Sequence, residues 1–112
     1  MSEYQSIHPV AQKDAEAKLN VVKGEALCSL LLAISELDDV EWVENVYLEY
    51  IHDDDQWVSS AAITGLGHLA RISGQLNKNL VIKTLTDLAK VKSELKGKIS
   101  DAISDIEGFI KD

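Results

Sequence analysis

The sequence predicts an all-α fold, a short α-solenoid of about three antiparallel helix pairs, and three observations predict it. Leu, Ile, Val and Ala recur at three-and-four spacing in successive stretches along the chain. Pro9 is the single proline and only six glycines punctuate 112 residues, which leaves room for long helices and argues against a many-stranded fold. The stretches are joined by short polar links, so neighbouring helices are expected to pack antiparallel.

The first helix is expected from His8-Pro9 to about Asn20, because proline at a first helical position has no intrahelical N–H bond to lose. Val10, Ala11, Ala15 and Leu19 make it weakly apolar, fit to cap its neighbour. The second is expected from about Lys23 to Leu37, with Leu27, Leu30, Leu31, Ile34 and Leu37 on one face. Leu32 and Ala33 widen that face and predict burial on two sides, and Cys28 in the same run reads as a small buried hydrophobe. Asp38-Asp39 ends this helix and can cap the third, Val40 to about His52, whose inner stripe is Val43, Val46, Tyr47, Tyr50 and Ile51.

Asp53-Asp54-Asp55 forms the next turn. The fourth helix is expected from Gln56 to Ile72, with Trp57, Val58, Ala61, Ala62, Leu66, Leu69 and Ala70 inward. Gly65 and Gly67 cost helix propensity, and the expected compensation is a neighbouring helix too close to admit a side chain. Ser73-Gly74 closes the helix, with Gly74 in the left-handed region. The fifth is expected from Lys78 to Ala89 on Val81, Leu85 and Leu88. The sixth follows Ser93 as cap and ends near Ile110, its stripe including Ile99, Ile103, Ile106 and Phe109. Paired one with two, three with four and five with six, the helices repeat every ~35–40 residues, in the range of helical-hairpin arrays. Stacking three pairs buries faces that no single pair can bury, so residues 1–112 are read as one domain.

One cysteine excludes an internal disulfide and a cysteine-based zinc site, and fits a reducing cytoplasm. Met1-Ser2-Glu3-Tyr4 lacks the basic start and apolar core of a signal peptide. The run Leu30 to Ile34 is far too short to span a bilayer. The net charge of −8 disfavours nucleic acid and anionic membrane as direct partners and favours a basic one.

That charge is unevenly placed. From Gly24 to Ala70 there is no Lys or Arg, while ten acids fall in the same stretch. The middle therefore carries −10, the first 23 residues are balanced and the remainder carries +2. Helix capping accounts for Asp38, Asp39, Asp54 and Asp55. It does not account for the absence of any compensating cation, since a solvated face is normally mixed in sign. Asp38, Asp39, Glu41, Glu44, Asp53, Asp54 and Asp55, with Trp42, are therefore expected to form or border a surface for a basic partner. Trp42 lies off the inner stripe of its helix and fits either packing or partner contact; Trp57 is expected in the core. Should the acids be only a solvated face, the basic final pair around Lys83, Lys90 and Lys96 is the place to seek a partner.

No catalytic set, cofactor motif or metal-ligand set can be assembled. His8, His52 and His68 are scattered, and His52 beside Asp53 would need further ligands that no spacing supplies. The three successive aspartates lack the alternation of a calcium loop, and Gly65-Leu66-Gly67 sits inside a helix rather than before one. The expectation is a binding protein, not an enzyme.

Residues 40–73 carry a more particular pattern. Val43-Glu44-Asn45-Val46-Tyr47-Leu48 is an apolar first helix and Asp53-Asp54-Asp55 an acidic turn. Val58, then the small pair Ala61-Ala62, then Leu66-Gly67 follow in the second helix. This resembles a HEAT repeat, departing from it at Ser59, where the family has Arg, and in lacking the turn proline. The segments Gly65-Leu66-Gly67-His68-Leu69-Ala70-Arg71-Ile72-Ser73-Gly74 and Asp101-Ala102-Ile103-Ser104-Asp105-Ile106-Glu107-Gly108-Phe109-Ile110 extend the likeness. With them the whole chain resembles short bacterial HEAT-like proteins encoded beside secreted toxins, some of which are immunity proteins of contact-dependent growth inhibition systems. The resemblance implies an immunity protein that binds a cognate basic toxin domain, a nuclease by preference, in the cytoplasm and covers its active site. The alternative is a HEAT-like protein–protein interaction scaffold or adaptor, and a toxin gene immediately upstream would favour the first over the second.

Overall fold

A computed structural model describes residues 11–111. Within them the chain forms α1 (Gln12–Leu19), α2 (Gly24–Ala33), a 3-10 turn (Ile34–Glu36), α3 (Val40–Tyr50), α4 (Gln56–Ser73), α5 (Lys78–Val91), a second 3-10 turn (Ser93–Leu95) and α6 (Lys96–Phe109). The described residues are helix and connecting turn, so the all-α prediction holds. None of these helices is long and apolar enough to cross a membrane. The principal extents are 46 × 31 × 18 Å, and the shortest is about two helix diameters of ~10 Å.

Side-chain caps set three of the six helix starts. Asp39 caps α3 by accepting from the Trp42 N–H at 3.1 Å, and Asp55 caps α4 by accepting from the Trp57 N–H at 2.9 Å. Asn77 does the same for α5 at the Leu80 N–H. Gly74 ends α4 at φ 65°, the left-handed cap expected of it. Other boundaries moved. His8, Pro9 and Val10 lie outside the described residues, and α1 is described from Gln12. The α-helical part of α2 stops at Ala33 because the chain tightens into a 3-10 turn, in which the Ser35 hydroxyl donates to the Leu32 carbonyl at 2.9 Å. Leu32 and Ala33 are exposed, so α2 is buried on one side rather than two. Ser93 does not cap the last helix: it opens the 3-10 turn, and α6 starts after Leu95 without a side-chain cap.

The core is organised around α4, the longest helix, which packs against α2, α3 and α6. Leu66, Leu69, Ala62 and Ile63 are wholly buried on it. The two glycines within α4 face two different neighbours. A Cβ on Gly65 would collide with the Tyr47 ring of α3, whereas one on Gly67 would lie 2.9 Å from Asp105 Oδ2, the far end of a flexible side chain, and at an ordinary contact distance of 3.6 Å from the Ala102 Cα of α6. A neighbour too close to admit a side chain is thus the compensation at Gly65, while at Gly67 only the Asp105 carboxylate would have to move. Tyr47 is fully buried and its hydroxyl donates to the Leu31 carbonyl of α2, so the ring has no free direction in which to yield. Gly65→Ala is expected to destabilise by about 1–3 kcal/mol despite the better helix propensity of alanine. Gly97→Ala, where a Cβ meets nothing within 4 Å, should be neutral or slightly stabilising in the same urea melt.

Helix ends are closed by side chains from distant elements. Carbonyls in a last turn have no intrahelical donor, and leaving them buried and unpaired is costly. Tyr47 serves the end of α2, and Tyr50 reaches the Leu19 carbonyl of α1 at 3.4 Å. The Ser59 hydroxyl, fully buried, donates to the Ile51 carbonyl at the end of α3 at 2.6 Å. Ser59 stands where the HEAT pattern has Arg, and here it ties α4 back onto the turn that precedes it. The Lys92 ammonium, from the link between α5 and α6, donates to the Asp53 carbonyl of the same turn.

Candidate protein-docking surface

The expected acidic residues divide between the two ends of α3, which its 11 residues hold about 16 Å apart at ~1.5 Å per residue. Asp38, Asp39 and Glu41 are exposed at its start. Asp39 is committed twice, capping α3 with one carboxylate oxygen and accepting from the Gln12 side chain of α1 at 3.2 Å with the other. Asp54 and Asp55 are exposed beyond its end, and Asp53 is half-buried with one oxygen accepting from the Asp55 N–H at 2.8 Å. Trp42 is half-buried against the core.

Glu44, expected at the partner surface, is instead buried at 8% exposure and accepts from the Asn77 N–H at 2.9 Å. The reason is tertiary: the chain returns after α4 and lays the start of α5 over this carboxylate. Glu44 holds the α4–α5 turn and leaves the set of candidate contacts.

Trp57 corrects the sequence reading in the opposite sense. Expected in the core, it is 78% exposed. It is the second residue of α4, directly after Gln56, and no other described element covers it. Trp57 and Asp55 form one wall of a groove of about 360 Å³, and Gly24, Glu25 and Cys28 of α2 form the other. Both helices start at this groove, so α2 and α4 run in the same direction. Cys28 is half-buried in the α2 wall rather than enclosed. Its thiol is pushed above its ordinary value, first by burial and then by the charges of Asp55, Glu25 and Asp53.

The charge imbalance read along the chain is reduced in space. Lys92 brings a cation to the turn at 51–53 from 39 residues away. In the basic final pair Lys83 and Lys90 both lean on Asp87, at 3.0 and 3.7 Å, yet their side chains stay about three-quarters exposed and Lys96 is exposed too, so this surface keeps its positive charge. The hydrogen bond from Lys83, with its charge, holds the Asp87 carboxyl below its usual range. At the far end of α4, the Arg71 guanidinium lies 5.9 Å from the centroid of the Phe109 ring. Phe109, expected inward, is 49% exposed there, beside Ile72 at 56%. Among the described residues no group of three or more His, Cys, Asp or Glu side chains is placed to hold a metal ion. His8 lies outside them.

The features that can act on a partner are therefore an exposed indole, the groove beside it and the carboxylates of Glu25 and Asp55 at the starts of α2 and α4. Comparison with protein-family models, with curated proteins and with solved structures returns no match.

Proposed function

We propose that this chain is a non-catalytic binding protein, an immunity protein that neutralises a cognate basic toxin domain, a nuclease by preference, by covering its active site. The single observation that carries this reading is Trp57, 78% exposed on a groove that Glu25 and Asp55 also line. Burying a large indole against a partner is favourable, and tryptophan is enriched among the residues that dominate the energy of protein interfaces. A toxin that handles nucleic acid needs a basic cleft, which an acidic surface complements.

The helix arrangement supports a short HEAT-like solenoid as the scaffold. Like α2 and α4, α4 and α6 run in one direction: Gly67 lies beside Ala102, and Arg71 over Phe109. Three helices thus lie side by side, with α3 packed on α4 and α5 on α6. One observation favours the adaptor as a second reading: the exposed Ile72 and Phe109 give α4 an apolar patch at its other end as well.

Glu41 and Asp54 are exposed and outside the groove, so their reversal tests the charge of the face without disturbing either core or groove. Glu41→Lys with Asp54→Lys should slow association with the immobilised toxin domain by about tenfold at low salt. The difference should shrink once charges are screened beyond ~8 Å at physiological ionic strength. Protection of cells expressing the toxin should fall in parallel. An unchanged association rate and unchanged protection would make the acids only a solvated face and move the partner site to the basic final pair, whereas a parent chain that neither binds the toxin domain nor protects the cells would overturn the immunity reading.

A further inference from the structure

We propose that the groove between the starts of α2 and α4 seats an arginine side chain of the partner, with its stem on Cys28 and its guanidinium on the Trp57 ring between Glu25 and Asp55. The proposal rests on the protein-binding reading above and names the chemistry its central contact recognises.

The groove has the chemistry of such a seat. Cys28 on one wall and the Trp57 indole on the other are apolar. Gly24 leaves space beside them, since a Cβ there would meet nothing within 4 Å. Each wall also carries a carboxylate, Glu25 on one and Asp55 on the other. An arginine carries three methylenes for the apolar surface and a planar cation that stacks on an aromatic face while donating to carboxylates at its edge. Lysine matches the apolar surface equally but offers a point charge without a stacking plane. Asp55 spends one oxygen on the Trp57 N–H, and an ionised carboxylate has about four lone-pair sites, so capping leaves it free to accept again.

Two opposing influences are outweighed. Helix starts carry partial positive charge of about +0.5 each, which favours an anion. Two full carboxylates, Glu25 and Asp55, line the same groove. Of the nearby cations, Lys92 is engaged with the carbonyls of Ile51 and Asp53, and Lys23 is exposed just before α2.

The test is a fluorescence titration of the full chain with a nona-arginine peptide, with nona-lysine and nona-glutamate peptides alongside. Trp57→Phe identifies which part of the emission belongs to Trp57. The expected result is a saturable change in Trp57 emission with nona-arginine, weaker with nona-lysine and absent with nona-glutamate. Glu25→Gln with Asp55→Asn should weaken the nona-arginine response by about tenfold, and the asparagine preserves the cap of α4, so the fold is kept.

Four results would overturn the seat. One is Trp57 emission that does not respond to nona-arginine. Others are a response unchanged in the double variant, and a stronger response to nona-glutamate, which would mark an anion site at the helix starts. The last is a change in Trp57 emission on deleting residues 1–10 or on raising protein concentration, which would give the groove to the chain's own start or to a second copy. Failure here remains distinct from failure of the immunity reading, which is judged by whether the parent chain binds the toxin domain and protects cells that express it.

Discussion

Leu66→Ala is expected to lower stability by about 2–5 kcal/mol, a large share of the ~5–15 kcal/mol typical of a domain. Leu66 is wholly buried midway along α4. That helix is held by α2, α3 and α6 at once, and through Gly65 and Gly67 it already lies close to two of them. A cavity at this position cannot be filled by moving one neighbour without pulling it from another, which places the cost toward the upper part of the range. Ile103 shares the apolar stripe of α6 but is only half-buried, so Ile103→Ala should cost less than Leu66→Ala. Ile106, fully buried on the same helix, should behave like Leu66. A urea melt of the three variants checks the order, and a neutral Leu66→Ala would mean that α4 is not the centre of the core.

Glu44→Lys is expected to destabilise on the order of 3 kcal/mol, whereas Glu41→Lys, one turn earlier on α3, should stay within about 0.5 kcal/mol of the parent. The two glutamates look alike in sequence, yet Glu41 is exposed and Glu44 closes the Asn77 N–H under the returning chain. Lysine at 44 removes that acceptor and puts an ammonium against an N–H donor with little water to solvate it. Glu44→Gln retains an acceptor oxygen and should recover most of the loss. Thermal melts followed by dichroism report the comparison, and equal melting of Glu41→Lys and Glu44→Lys would show that Glu44 is solvated after all. Reversing Glu44 is for the same reason no test of partner binding, because lost protection would then follow from lost structure.

Six helices, their inner stripes and most of their caps were legible in the sequence because each is settled within a turn or two. A period of 3.6 marks the face of Val43, Val46 and Tyr47, and an aspartate two or three residues before an N–H caps it wherever the helix lies. Gly65 announced a close neighbour, though not that it would be the Tyr47 ring. The docking surface was legible in charge but not in shape. Periodicity states which residues share a face; it does not state how far along the helix the neighbour extends to cover that face. Trp57 stands on the apolar side of α4 yet is left in water. Glu44 is polar yet covered by residue 77, and the cation nearest the acidic turn is Lys92, contributed by the far end of α5. The sequence by itself determined the elements and the sign of the charge. Which indole is exposed, which carboxylate is buried and which helix starts share a groove were decided only by the tertiary structure, because burial is a property of two surfaces meeting and one of the two comes from elsewhere in the chain.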